Sequence, residues 1–226
     1  MASVPRQRPH AGWRRVDRND ARLFDALVDS EGSTLRLARA GDLTAFNELV
    51  LAHQGLVYGL CLRMLGQRAA AEDATQVTFL TAWQNVARLR GDRFRPWVLR
   101  IAASVCTDEF RRRGRRPVAS LDAGLEAGMP DPPDPSPSPE SASLGSELRG
   151  RIEAALLTLP AEQRLAVVLC DVQGLDYQEA ARAMRTSLGT VKSRLSRARA
   201  RLREVLLREP ELLPGRLRPG SGGDET

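Results

Sequence analysis

Aromatic residues are scarce in this chain of 226 residues, making up only 4% of it. Large β-sandwiches and barrels build their strands from Val, Ile, Tyr, Phe and Trp, so the shortage argues against those folds. Histidine is scarcer still. His10 and His53 are the only two, which disfavours a His-based metal centre or a Ser-His-Asp triad. The three cysteines, Cys61, Cys106 and Cys170, are widely spaced, odd in number and never in a C-x-x-C pair. Such a pattern is neither a disulfide framework nor a zinc site; among apolar neighbours each reads as a small buried side chain. No apolar run reaches the roughly 18 residues of a membrane span. The start, MASVPRQRPHAGWRRVDRND, has basic residues with no apolar stretch behind them, so no secretory leader is expected. These absences point to a cytoplasmic protein with no membrane insertion, no cofactor and no metal.

What is present is helical. Ala, Leu, Arg and Glu fill the periodic segments, and all four are strong helix formers. The expected fold is all-α: two small helical domains joined by a Pro-rich acidic linker, the C-terminal one a helix-turn-helix. The linker is read from PVASLDAGLEAGMPDPPDPSPSPESASLGSE, which has many prolines, several acids and no Lys or Arg. Proline removes a backbone donor and restricts the residue before it, and few large apolar groups offset the ordering entropy. The expected domains are an N-terminal extension over 1–34, partly disordered, a helical module over 35–116, the linker over 117–147, a second module over 148–208 and a disordered tail over 209–226.

Within the first module, apolar residues recur at three- and four-residue steps from Asp42 to Leu65, with Asp42 placed to cap the helix and Gly66 to end it. A second helix is predicted over 69–86 with Ala74, Val77, Leu80 and Trp83 inward. A third is predicted to open on Pro96, with Trp97, Val98, Ile101, Ala102 and Val105 on its apolar side. Glu72 and Asp73 fall in the predicted first turn of the second helix, where acids complement the helix dipole. With no companion His, Lys or nucleophile they are no catalytic pair, and neither an enzyme nor a small-molecule substrate is expected. The surface of Asp73, Gln76 and their neighbours could dock a partner helix.

Charge is clustered. The net charge is +6, from 34 Lys and Arg against 28 Asp and Glu. One cluster runs from Arg88 to Arg116 and combines Arg90, Arg93, Arg95, Arg100 and the run RRRGRR with Phe94, Trp97 and Phe110. Cations beside rings suit single-stranded DNA, where bases stack and phosphates pair. Trp97 also lies on the apolar stripe and reads equally as core. The other cluster is DYQEAARAMRTSLGTVKSRLSRARARLREVL, built as a helix-turn-helix. Ala180, Ala181 and Met184 face inward from a short helix, and Ser187 is placed to cap a long one. On the long helix Val191, Leu195, Ala198, Leu202 and Val205 form one stripe, with Ser193, Ser196, Arg197 and Ala200 opposite it. A basic face with small side chains fits the major groove, where Arg reads guanine and Ser or Thr reaches bases or phosphate.

Both modules resemble one family. GDLTAFNELVLAHQGLVYGLCLRMLG, AEDATQVTFLTAW and RGDRFRPWVLRIAASVCTDEFRRR resemble region two of extracytoplasmic-function (ECF) sigma factors. LPAEQRLAVVLCDVQGLDYQEAARAMRTSLGTVKSRLSRARARL looks like region four. The resemblance implies core RNA polymerase, promoter DNA and an anti-sigma factor as partners. It implies that Asp73, Gln76 and Phe79 dock on the polymerase. Leu89, Arg90, Phe94, Trp97, Arg100, Ser104, Arg111 and Arg112 would recognise and melt the minus-ten element, a base being flipped into a pocket beside the loop. Thr190, Lys192, Ser193, Arg194, Ser196, Arg197 and Arg199 would bind the minus-thirty-five element as duplex. Three positions depart from the family pattern: Ser104 stands where Asn is common, Leu89 where an aromatic is, and Val77 where an acid is. A stand-alone helix-turn-helix regulator is the alternative reading, and a polymerase-binding adaptor without promoter recognition a third.

Overall fold

The computed structural model describes residues 31–115 and 139–208, with side chains over 31–113 and 148–208. The expectations for the N-terminal extension up to residue 30, most of the linker and the tail lie outside the described residues. Among the described residues every regular element is helical.

The first module is built from four helices: α1 over 31–39, α2 (Leu43–Leu65), α3 (Arg68–Asn85) and α4 (Phe94–Arg115), with a 3₁₀ turn at Val86–Arg88. Asp42 caps α2, its Oδ1 accepting from the backbone N–H groups of Thr44 at 2.8 Å and Ala45 at 3.1 Å. Gly66 ends α2 in the left-handed conformation, φ 72°, and its N–H donates to the Leu62 carbonyl at 2.8 Å. A Cβ there would also lie 2.9 Å from Leu157 Cδ2, so Gly66 permits both the helix end and the close approach of a later helix. Phe46, Leu49, Val57, Leu60 and Met64 of α2 pack with Val98, Leu99 and Ala102 of α4 in the core. Each large side chain so buried contributes about 1.5–3 kcal/mol.

Three details of this module correct the sequence reading. The inner seam of α3 is Ala71, Ala74, Thr78 and Ala82, whereas Val77 and Leu80 are 48% and 63% exposed. Small side chains let α3 approach α2 and α4 closely, and the bulkier pair is turned outward. The helix starts at Arg68, so no acid lies in its first turn; Glu72 instead pairs with Arg68 one turn back, at 3.3 Å. Finally, α4 opens on Phe94, and Pro96 occupies its first turn, where an absent N–H leaves no intrahelical bond unmade.

The second module holds α5 (Pro139–Leu157), α6 (Ala161–Val167), a π turn over Val168–Val172, α7 (Tyr177–Ala183) and α8 (Leu188–Leu206). Thus α5 begins inside the stretch that composition assigns to the linker, with Pro139 at the first helical position it favours. Likewise α1 takes in residues 31–34, inside the predicted extension. Asp176 and Glu179 form a reciprocal capping box on α7. Ser187 caps α8, accepting from the Thr190 N–H at 3.1 Å. Arg185, in the turn between α7 and α8, has φ 50°.

The hydrophobic clusters of the two modules are continuous. Helix α7 packs on α4, and α5, α6 and the π turn pack on α2. Arg164, only 8% exposed, stands at the junction. Its guanidinium donates to the carbonyls of Met64 at 2.5 Å, Leu157 at 2.5 Å and Leu159 at 3.0 Å, and lies 5.7 Å from the centre of the Phe110 ring. Burial pulls its pKa down from the ordinary Arg value; the three carbonyls accept from its two terminal nitrogens, while its Nε is buried with no hydrogen-bond partner among the described residues.

Candidate nucleic-acid interfaces

The α7–turn–α8 unit presents one face of α8 to solvent. Val191, Leu195 and Ala198 are buried beneath it, and Lys192, Ser193, Ser196, Arg197 and Ala200 are exposed, as the helical phase predicts. The seven candidate DNA contacts separate by geometry. Thr190 is half-buried, and its hydroxyl lies 2.8 Å from Ser187 Oγ, inside the cap. Arg194 pairs with Glu162, and Arg199 is held by both oxygens of Asp171, at 3.0 and 2.5 Å. That pairing raises the Arg199 pKa. Arg197 lies back on its own helix, donating to the Ser193 carbonyl at 3.2 Å and to Ser193 Oγ at 3.3 Å. Of the seven candidates, Lys192 and Arg197 are therefore the exposed cations with no ion pair to break among the described residues. The acids on α6 and the π turn that restrain Arg194 and Arg199 gave no periodic signal in the sequence.

The second basic surface is the loop between α3 and α4. Gly91, at φ 94°, makes the turn, and its carbonyl accepts from the Arg39 guanidinium of α1. Leu89 and Phe94 anchor the two ends and are buried. Phe94 meets Phe46 edge-on at 6.2 Å, His53 at 5.2 Å and Trp97 at 5.6 Å. A fully buried ring cannot stack on a base, so Phe94 supports the loop, and Leu89 does the same at its other end. Arg90, Asp92 and Arg93 remain exposed at the tip. Trp97 is half-buried, with Arg100 and Ser104 further along α4. These three line a cleft of about 610 Å³ together with Asn85, Arg88 and Asp108. Beyond the cleft, Arg111 pairs with Asp108 at 3.3 Å and Arg112 with Glu109 at 2.6 Å.

On α3, Asp73, Gln76, Val77 and Leu80 are all exposed and follow the i, i+3, i+4, i+7 spacing of one helix face. Phe79 is half-buried and packs on the core, so its part in that face is support from behind. The family resemblance implies Asp73, Gln76 and Phe79 as the docking residues; Val77 and Leu80 join Asp73 and Gln76 only once the phase of the helix is known.

Among the described residues no group of His, Cys, Asp and Glu could hold a metal ion, and no helix is long and apolar enough to cross a membrane. His53 is a core residue, its Nδ1 lying 2.9 Å from the Leu49 carbonyl. Contact with Cys61 and burial push the Cys106 thiol up, and burial pushes Cys170 up to about 11. Neither is poised as a thiolate.

A helix-turn-helix with a basic outer face, set beside a helical module with a basic loop, defines an all-α DNA-binding protein of two modules. Comparison with known proteins narrows the class. Residues 49–116 match the family Sigma-70 region 2, and residues 149–202 match Sigma-70, region 4. The chain is 37% identical over 191 residues to the ECF RNA polymerase sigma factor SigE of Mycolicibacterium smegmatis, covering 84% of this chain and 70% of that protein. It is 33% identical over 193 residues to the ECF RNA polymerase sigma factor SigM of Mycobacterium tuberculosis, covering 85% and 87%. Among solved structures it is similar to CnrH, determined in complex with the cytosolic domain of CnrY, with a TM-score of 0.55, 27% identity and coverage of 78% and 96%. It is also similar to the sigma factor RpoE of Bartonella quintana, determined with the anti-sigma factor NepR, with a TM-score of 0.56, 25% identity and coverage of 73% and 98%. The chain belongs to the ECF sigma factors of the sigma-70 family, which are transcription initiation factors.

Proposed function

We propose that this sigma factor divides its work among three surfaces. The exposed stripe of Asp73, Gln76, Val77 and Leu80 docks on core RNA polymerase, since an acid-and-apolar helix face left uncovered by the described residues suits helix-on-helix docking. The region-two loop and the cleft at Trp97, Arg100 and Ser104 take the melted strand of the minus-ten element. The face of Lys192, Ser193, Ser196 and Arg197 takes the minus-thirty-five element as duplex. The observation that carries the reading is the capped α7–turn–α8 unit, which turns Lys192, Ser193, Ser196, Arg197 and Ala200 outward over buried Val191, Leu195 and Ala198.

On this reading the chain does no chemistry, acts in the cytoplasm with the polymerase, and is held in check by an anti-sigma factor. The two solved relatives CnrH and RpoE, each captured with such a partner or with a cytosolic domain, support the last point. The domain limits follow: region two over 35–116, and region four over 148–208 with α5 reaching back to Pro139.

Core binding tests the docking surface. With fluorescently labelled protein titrated by core polymerase, Asp73→Arg with Leu80→Arg should weaken binding by at least about 100-fold. Placing charge in a docked apolar stripe costs on the order of 3 kcal/mol or more. Unchanged affinity would remove α3 from the polymerase contact.

A further inference from the structure

Helix α1 is braced against the region-two loop. Its residues Leu35 and Ala38 are buried in the core, 1% and 0% exposed, so the helix is a fixed element. Arg39, the next residue, donates to the carbonyl of Gly91, 52 positions away at the apex of the loop. Capping does not account for this reach. A cation in the last turn of a helix can serve the free carbonyls there, but those of Leu37 and Ala38 already accept from the N–H groups of Asp42 and Gly41, each at 3.1 Å. Stability alone does not account for it either. The Nε of Arg39 is buried with no hydrogen-bond partner among the described residues, and a buried unpaired donor is destabilising. The start of α1 meets the foot of the same loop. Glu31 lies 3.9 Å from His53 Nε2, and the His53 ring packs on Phe94 with centroids 5.2 Å apart.

The apex needs a restraint of this kind. Gly91 stands at φ 94°, a conformation that glycine enters and leaves more freely than any other residue. Among the described residues nothing lies within 4 Å of where a Cβ would stand, so no packing on that side holds the turn. The Gly91 carbonyl belongs to the peptide plane that joins it to Asp92, with Arg90 and Arg93 on either side, and these three side chains are exposed at the tip. Fixing that plane fixes the directions in which they point.

We propose that Arg39 is the positioning residue of this loop: by holding the Gly91 carbonyl it keeps the loop in the one conformation that meets the melted strand, and so sets how sharply the chain distinguishes bases of the minus-ten element. The inference rests on the reading of the loop as the minus-ten surface and deepens it. Arg39 acts through Gly91, not on a base. A loop held ready loses less freedom on binding, whereas a loop that is competent only part of the time binds more weakly by that fraction. Discrimination falls with it, because recognition needs the contacting groups held close to one geometry.

The test uses the full chain assembled with core polymerase, on a promoter from which the wild type initiates and on its single-base variants across the minus-ten element. Arg39→Met keeps the buried stem and removes the donors, and Arg39→Lys keeps a cation that can reach a carbonyl. Gly91→Ala disturbs the same turn through φ alone. Initiation by Arg39→Met on the unaltered promoter should fall about tenfold, and the spread among the base variants should narrow, with Arg39→Lys recovering most of both. Gly91→Ala should reproduce the loss, and the double variant Arg39→Met with Gly91→Ala should be no worse than either alone, since both act on one loop conformation. Affinity for core polymerase, affinity for minus-thirty-five duplex and the urea midpoint should stay at their wild-type values, which a merely structural role would move. Unchanged base discrimination in Arg39→Met would overturn the proposal, and so would a loss that follows a lowered urea midpoint or core affinity. The two readings separate cleanly. If the wild type initiates nowhere, the promoter reading fails and the positioning role with it; if the wild type initiates and Arg39→Met discriminates equally well, the positioning role fails alone.

Discussion

Replacing Phe94 by alanine will remove about 3–5 kcal/mol of stability, a large part of the roughly 5–15 kcal/mol that holds a domain folded. The ring is fully buried and touches aromatic partners on α2 and α4, namely Phe46, His53 and Trp97. The backbone on its N-terminal side is the loop whose tip carries Arg90 and Arg93. The loss therefore reaches function through structure: α4 loses its first anchored residue and the loop its footing. Urea denaturation should show a lower midpoint, and Phe94→Leu should recover more than half of the loss. A change below about 1 kcal/mol would contradict the packing described and return Phe94 to the DNA surface.

Replacing Lys192 and Arg197 together by alanine will weaken binding to minus-thirty-five duplex by about 100-fold near 0.1 M salt and flatten the salt dependence. Each lost phosphate contact removes about 0.9 from the slope of log K against log salt, so the double variant should lose close to 2. Arg194→Ala and Arg199→Ala should each cost less, because Glu162 and Asp171 already hold those guanidinium groups in the free protein. Fluorescence anisotropy across a salt series separates the two pairs. Equal losses at all four positions would mean that the ion pairs exchange freely for phosphate, and an unchanged slope would exclude this face as the contact.

The contrast between these two experiments reflects what the sequence could reveal. The recognition helix was legible because its stripe of Val191, Leu195 and Ala198 and its small, basic opposite face follow one period, with Ser187 marking the start. Asp42 and Gly66 were legible for the same reason: caps are local chemistry. Phe94 was not, because it sits between Arg93 and Arg95 and takes its local character from them; only long-range packing against Phe46 and His53 makes it core. On α3 the bulk of Val77 and Leu80 masked a seam made of alanines and Thr78, since hydropathy weighs large side chains above small ones while close helix packing favours the small. Arg164 reads as a solvated charge until its three carbonyl partners, one of them a hundred residues away, are in place. The 2.7 Å pair of Arg93 with Glu179 of α7 is hidden in the same way, because both belong to charged stretches that look like solvent-exposed surface.

This chain directs core polymerase to promoters, and initiation itself measures that role. Purified core polymerase, the protein and a library of genomic promoter fragments are combined, and the 5′ ends of run-off transcripts are mapped. Transcripts should begin at a discrete set of sites that core alone does not use, with a shared element about 35 and another about 10 positions upstream. Starts indistinguishable from those of core alone, with the protein shown to be folded, would contradict the account.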